Sequence, residues 1–306
     1  MSPSDFDLKK LIAPSPVDDF LRHYWPYKPI VIESNAERLN ALLAIPELAS
    51  VKALASRYRE RVTILHPQGF AADVPDGATA IQFLRGGYTL YFRNIGRYLD
   101  VCRNAASVIA KELGIPTDSF TCEVFASSGE SGVAMHCDYD VNFSILLAGR
   151  KEWTFAPNES VVNQTNIILP AGRTQPDQNQ LRYITKDLPA EMPESATHVV
   201  LDPGGLVFMP RGMWHTTKSH GECLSINFVM KGPHWARLLC ASLENKLMEN
   251  PSWREYAYGV DANDERHKQA IGQFSALLSD LGKTFSVDAN FNTIAEDLIK
   301  RYLDGK

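Results

Sequence analysis

The feature that most limits what this chain can fold into is a long series of short apolar runs between Phe120 and Met230, each closed by turn residues. The runs fall at 120–126, 134–138, 142–147, 152–155, 181–186, 197–201, 206–209, 216–219 and 223–230. They are rich in β-branched and aromatic residues, which suit a pleated, half-buried surface. Short strands at this spacing, punctuated by Gly and Pro, predict an all-β sandwich or barrel. The stretch 157–180 inside it is long, polar and rich in Asn, Gln and Pro, the makeup of a lid or mobile segment.

The flanks read differently. Ser15-Pro16-Val17-Asp18 predicts a helix with a Ser cap and Pro in its first turn; it carries Phe20, Leu21, Tyr24 and Trp25 and stops before Pro26. A short strand follows at 29–32, and Ser34 with Glu37 forms a capping box for a helix through Leu43. Further helix is expected at 47–58, a strand at 62–65, a loop at 67–77 and a helix at 80–84 closed by Gly86-Gly87. A strand is expected at 88–92. Apolar Leu99, Cys102, Ala106, Ile109 and Leu113 recur at helical steps within 95–113, before Gly114 and Pro116. After Gly232-Pro233, helices are expected at 235–248, 264–281 and 291–303. The expected organisation is an α/β segment at 1–116 packed on a barrel, the barrel at 117–232, and a helical region at 233–306.

One strand of the barrel carries chemistry. In Met135-His136-Cys137-Asp138 the alternation of an extended chain puts His136 and Asp138 on one face and Cys137 on the other. A second histidine, His215, follows the turn Pro203-Gly204-Gly205, a hydrophobic strand and a second turn at Pro210-Arg211-Gly212. Two imidazoles and one carboxylate have the composition of the facial triad that holds non-haem Fe(II) with open positions. Asp140 shares the face of Asp138 and is its rival. The other histidines, 23, 66, 198, 220, 234 and 267, lack partners at ligand spacing.

Composition narrows the class. A hydrophobic share of 44% with 22% charged residues is that of a globular protein with a core. The net charge of −5 and the lack of a Lys/Arg block give no support to nucleic-acid binding. The start, Met1 to Asp7, is polar and acidic rather than basic and then apolar, so no signal peptide and no membrane anchor are expected. Five scattered cysteines with no C-x-x-C pair predict neither a disulfide framework nor a zinc finger, and suit a reducing cytoplasm.

The stretch Gly132 to Phe155, with its H-x-D and the Gly-Arg-Lys-Glu-Trp that follows, resembles the first metal-binding segment of the Jumonji-C oxygenases. Leu201 to Gly232, with its Pro-Gly-Gly turn, Trp-His and the Ser-Ile-Asn-Phe strand, resembles the second. The front, Phe20 to Pro29, is more loosely similar to the entry segment of that family. The branches most resembled are the ribosomal oxygenases and the asparaginyl hydroxylase that acts on hypoxia-inducible factor.

That resemblance implies a mainly β fold with α, a double-stranded β-helix (cupin or jelly-roll) core with N-terminal helices and strands and a helical C-terminal tail. It implies an enzyme, a 2-oxoglutarate-dependent dioxygenase, using Fe(II), 2-oxoglutarate and O₂ to hydroxylate a C–H bond of a protein or peptide side chain. A small molecule or free amino acid is the alternative substrate, and a non-catalytic metal-binding module the alternative role. Carried over by position, the iron ligands are His136, Asp138 and His215. Lys151 takes the place of the cation that binds the far carboxylate of 2-oxoglutarate, with Arg150 as its neighbour on the other face. Asn142 and Asn227 fall at polar positions near the iron and cosubstrate. The hydroxyl that usually joins the cation is missing from its ordinary places, leaving Tyr88, Tyr91, Thr121 and Ser131 open. The tail carries the family's potential for a homodimer.

Overall fold

The computed structural model describes residues 6–66, 70–261, 263–284 and 291–304. The chain separates into two compact units, Met1–Gly232 and Pro233–Lys306. The expected loop at 67–77 and the N-terminal segment at 1–7 lie partly outside the described residues.

The first unit is organised by two long strands. β1 is Ile30–Ile32, β2 Val62–Leu65, β3 Ala71–Val74, β4 Thr89–Phe92, β5 Phe120–Ser127 and β6 His136–Cys137. β7 is Val141–Pro157, β8 Thr197–Leu201, β9 Leu206–Met209 and β10 Met213–Met230. β7 and β10 pair antiparallel over their whole lengths, from Met213↔Pro157 to Met230↔Val141, with a bulge between His220 and Leu224. The remaining strands extend this pair in the order β1-β9-β7-β10-β5-β4-β2-β3, with β6 on β10 and β8 on β7. Strands that bend and serve two layers give the jelly-roll arrangement of a cupin barrel.

The sequence reading leaves gaps at 148–151 and 220–222, and so divides each long strand into two. The structure bends the strands there without ending them. Gly149 has φ +84°, and a Cβ on it would lie 2.3 Å from the carbonyl oxygen of Glu222, so glycine lets the two strands cross closely at the bend.

Helices cover one flank of the sheet. α1 is Leu8–Ile12, α2 Val17–His23, α3 Ala36–Leu43, α4 Val51–Arg57, α5 Gly77–Leu84 and α6 Asp100–Glu112. Phe20 on α2 is fully buried and meets Phe208 edge-on at 5.1 Å, while Trp25 stacks on Phe143 at 6.2 Å. These rings close the barrel end formed by β7 and β9. Truncating an aromatic of this kind costs about 3–5 kcal/mol.

Several boundaries differ from expectation for local reasons. The cap of α2 is Pro16, with no side-chain bond from Ser15. The cap of α3 is Asn35, whose Oδ1 accepts from Arg38 N, because Ser34 donates instead to the carbonyl of Pro203 at 2.5 Å. The expected helices at 47–58 and 95–113 each open with a 3₁₀ turn, Pro46–Leu48 and Ile95–Arg97. The expected strand at 181–186 is a 3₁₀ turn, Gln178–Tyr183, capped by Asp177, and only Val161↔Ile184 makes a bridge there.

In the second unit, α7 is Trp235–Leu247, α8 Pro251–Arg254, α9 Glu265–Thr284 and α10 Phe291–Asp304. Ser242 Oγ donates to Leu298 O at 2.5 Å, which ties α7 to α10, and Arg301 on α10 reaches Glu249, just past α7, at 2.5 Å. Ile271, Phe274 and Leu278 form an exposed stripe on α9. No helix among the described residues is long and apolar enough to cross a membrane.

Candidate active site

His136 and His215 are directly opposed on β6 and β10, with ring centroids 4.2 Å apart. The ring Nδ1 of His136 lies 2.7 Å from Ala134 O, and that of His215 lies 3.0 Å from Met213 O. A carbonyl accepts only from a protonated ring nitrogen, so both Nδ1 atoms carry hydrogen and both Nε2 atoms are free to act as ligands. Asp138 Oδ2 stands 3.4 Å from His136 Nε2 and 3.5 Å from His215 Nε2. The three ligand atoms lie within 4.8 Å of one another, the arrangement that could hold one metal ion.

Charges inside this group support each other. Burial pushes the Asp138 carboxyl up, but the two imidazoles outweigh it and hold it well below the ordinary carboxylate range. Burial pushes His136 down, and the Asp138 carboxylate outweighs that and raises it. Asp140 stands apart from the triad, its Oδ2 3.7 Å from Lys231 Nζ. Burial and the charge of Asp138 push its carboxyl well up.

Below the triad, one face of the β7·β10 ladder carries Phe155 opposite His215, Trp153 opposite Thr217, and Lys151 opposite Ser219. Lys151 is 4% exposed, with its Nζ 5.7 Å from the Trp153 ring centre and 6.0 Å from that of Phe125. It has no hydrogen bond or ion pair to a described residue, and burial pushes it down to about 8. Arg150 faces the other way and lies 3.8 Å from Asp202. Trp153 stacks on His215 at 5.8 Å, and its buried indole N–H also lacks a described partner.

The hydroxyls left open by the sequence are engaged elsewhere. Tyr91 donates to Glu123, which also takes Lys231 at 3.2 Å, and Thr121 donates to the same carboxylate at 3.5 Å. Ser131 bonds the carbonyl of Ser128 at 2.6 Å, and Tyr88 packs against His66 and Phe83. Sequence reasoning missed a hydroxyl pair on this part of the ladder: Ser219, the cross-strand partner of Lys151, and Ser127, hydrogen-bonded to Ser219. The signal was present, since His215, Thr217 and Ser219 alternate onto one face of a strand.

A cavity of about 590 Å³ opens onto His136 and Asp138. Its walls include polar Asn142, Asp140 and Glu123 and apolar Leu65, Phe70, Ile167 and Leu169. Asn142 presents a buried side-chain oxygen with no described partner. Asn227 is elsewhere engaged, accepting from Ser144 Oγ at 2.9 Å. Lys151 is not a wall of this cavity and is buried.

Comparison with known proteins agrees with this arrangement. Residues 109–238 match the model of the JmjC domain. YxbC of Bacillus subtilis (strain 168), an uncharacterized protein, is 27% identical over 291 residues, covering 92% of this chain and 87% of its own. The bifunctional lysine-specific demethylase and histidyl-hydroxylase NO66 of Aedes aegypti is 24% identical, covering 95% of this chain but 47% of its own, so this chain spans about half of that relative. In fold, the chain is similar to YcfD, a ribosomal oxygenase from Escherichia coli, in complex with cobalt and 2-oxoglutarate, with TM-score 0.54 and 15% identity over 87% of this chain and 67% of that one. The barrel strands that bring His136, Asp138 and His215 together lie within the residues that match the JmjC-domain model, and the chain is similar to the ribosomal oxygenases.

Proposed function

We propose that this protein is an Fe(II)- and 2-oxoglutarate-dependent dioxygenase that hydroxylates a C–H bond on a protein or peptide side chain. The observation that carries this is the pairing of a two-imidazole, one-carboxylate group with a buried, unpaired lysine on the same ladder. The donor set suits non-haem Fe(II) and leaves coordination positions open. Burying an ammonium without an anion is unfavourable, and the far carboxylate of a dicarboxylate answers that need.

His136, Asp138 and His215 would hold the iron, and Lys151 with the Ser219 and Ser127 hydroxyls would bind the far carboxylate of 2-oxoglutarate. When bound, the metal and cosubstrate supply oxidising power, with O₂ converting 2-oxoglutarate to succinate and CO₂ and one oxygen atom passing to the substrate. The chain's own part is to position and to shield. His136 and Asp138 line the cavity, while Trp153 and Phe125 pack beside the buried lysine. The apolar outer walls, Leu65, Phe70, Ile167 and Leu169, would receive the substrate.

The test is succinate release from 2-oxoglutarate with Fe(II) present. Activity in the wild type and none in His136→Ala is expected; equal turnover in both would sink the reading. A protein or peptide substrate is favoured by the ribosomal-oxygenase relatives. The cavity volume of about 590 Å³ also suits a small molecule or free amino acid. Comparing cells with and without the gene for a peptide, or a metabolite, heavier by one oxygen atom separates the two. The exposed stripe Ile271, Phe274 and Leu278 on α9 makes a homodimer through the second unit part of the same proposal. Light scattering that returns a monomer mass would remove it. The five cysteines, all free, are in keeping with a cytoplasmic setting.

A further inference from the structure

The three residues of the triad are not held alike. His136 and His215 each lean on a carbonyl two residues back in their own strand segment. The Asp138 carboxylate meets only the two imidazoles among the described residues, so its position depends on its backbone. That backbone is fastened from outside. The Asp138 carbonyl accepts from Gln164 Nε2 at 2.6 Å and from Gly212 N at 2.9 Å.

Gln164 lies in the long loop before β8 and is fully buried. Its Nε2 also reaches Cys137 Sγ at 3.1 Å, on the residue between the two ligands. Asn163, at φ +55°, adopts the left-handed backbone that precedes it. Arg211, in the turn leading to His215, donates to Asn163 O at 2.8 Å and also to Gln164 O. A Cβ on Gly212 would lie 3.2 Å from Gln164 Oε1, so this turn closes tightly over the amide. A few residues on, Ile168 exchanges two backbone hydrogen bonds of 2.9 Å with Cys137, and its neighbours Ile167 and Leu169 are cavity wall. The segment expected to be a mobile lid is thus pinned to the metal-binding strand at its near end.

We infer that Gln164 is a positioning residue: its amide sets the Asp138 backbone, and through it the third ligand, and couples the substrate wall to the metal geometry. This rests on the proposed metal-binding role of His136, Asp138 and His215. Gln164 touches no reacting atom. Its side-chain donor faces two acceptors at once, which an apolar or acidic side chain cannot do.

The test is Co(II) titration of the full chain, followed by visible absorption, with thermal melting of the metal-free protein alongside. Gln164→Leu is expected to weaken Co(II) binding about 10–100-fold, the usual effect of losing a partner that orients a ligand, and to shift the Co(II) bands. Arg211→Ala loosens the strap from the surface and keeps the Gln164 amide, so a smaller weakening in the same direction, about 2–5-fold, is expected. A folded Gln164→Leu protein that binds Co(II) within twofold of wild type, with the same bands, overturns the role. Should that variant not fold, Arg211→Ala decides: wild-type affinity and bands overturn the role, and weakened binding with an unchanged melting temperature supports it. Wild-type protein that takes up no Co(II) overturns the metal reading itself, and the role with it.

Discussion

At the His215 end of the β7·β10 ladder, one carboxylate stands between two imidazoles at 3.4 and 3.5 Å. At the Lys151 end, a single ammonium sits among Trp153, Phe125 and Cys223 with no anion beside it among the described residues. The first group balances its charges among its own members and can assemble without a ligand. The second is incomplete until an anion arrives. On the proposed function, a cosubstrate that bridges the two would be recruited by the incomplete end and put to use at the complete one. Substitutions at the two ends should therefore fail in different ways.

The largest effect is expected at the metal end. His215→Ala should remove one ligand and lower 2-oxoglutarate turnover by on the order of 10³-fold or more, with Co(II) affinity falling alongside. If metal affinity held while turnover vanished, the triad would not be the metal site. At the other end, Lys151→Ala should leave Co(II) binding near wild type while raising the 2-oxoglutarate KM about 100-fold, the loss of a charge-assisted contact. The companion Lys151→Met should stabilise the metal-free protein by on the order of 2 kcal/mol in urea unfolding, since it removes a buried, unpaired charge. A destabilised Lys151→Met would mean that this end is not incomplete after all.

The pH response sharpens the contrast. Lys151 titrates near 8 in the folded protein and at 10.5 as an unperturbed lysine, so the unfolded chain binds more protons between those values. The burial penalty is then fully present below about 8 and is relieved as pH rises toward 10.5, so metal-free stability should climb across that window. Cosubstrate affinity should run the other way, falling up to about tenfold per pH unit above 8 as the ammonium is lost. Calorimetry of 2-oxoglutarate binding to the Mn(II)-loaded protein from pH 7 to 9.5, values chosen to span about two units around that pKa, would reveal it; a flat profile would remove Lys151 from the site. The smallest effect is expected at Ser219→Ala, about a three- to tenfold rise in 2-oxoglutarate KM with metal affinity unchanged.

The sequence exposed these two ends unequally. The metal end was legible because an H-x-D in an extended strand fixes two ligands on one face by geometry alone. The barrel was legible from its alternating runs and turns. The hydroxyls proposed to join Lys151 were not, because Ser219 comes level with the lysine only through strand pairing and Ser127 only through its bond to Ser219. Tyr91 and Thr121 looked suitable by residue type, yet Glu123 had claimed both hydroxyls. The apparent strand at 181–186 alternates like its neighbours but finds no strand to pair with beyond a single bridge, and winds into a 3₁₀ turn. Gly149 and Gly221 read as turns since φ near +80° is the usual mark of one; here it bends a continuous strand.

The β7·β10 pairing, continuous in register from Met213 to His220, also acts as a ruler. His215 and Ser219 are four residues apart on one strand, about 13 Å, with Lys151 on the same rung as Ser219. A strand can slide and keep its side chains on the same face only in two-residue steps of about 6.7 Å. No such step matches the difference between a dicarboxylate and its homologue one methylene longer. On the proposed function, length discrimination would be written into backbone register, and charge recognition into one side chain. The two can be altered independently.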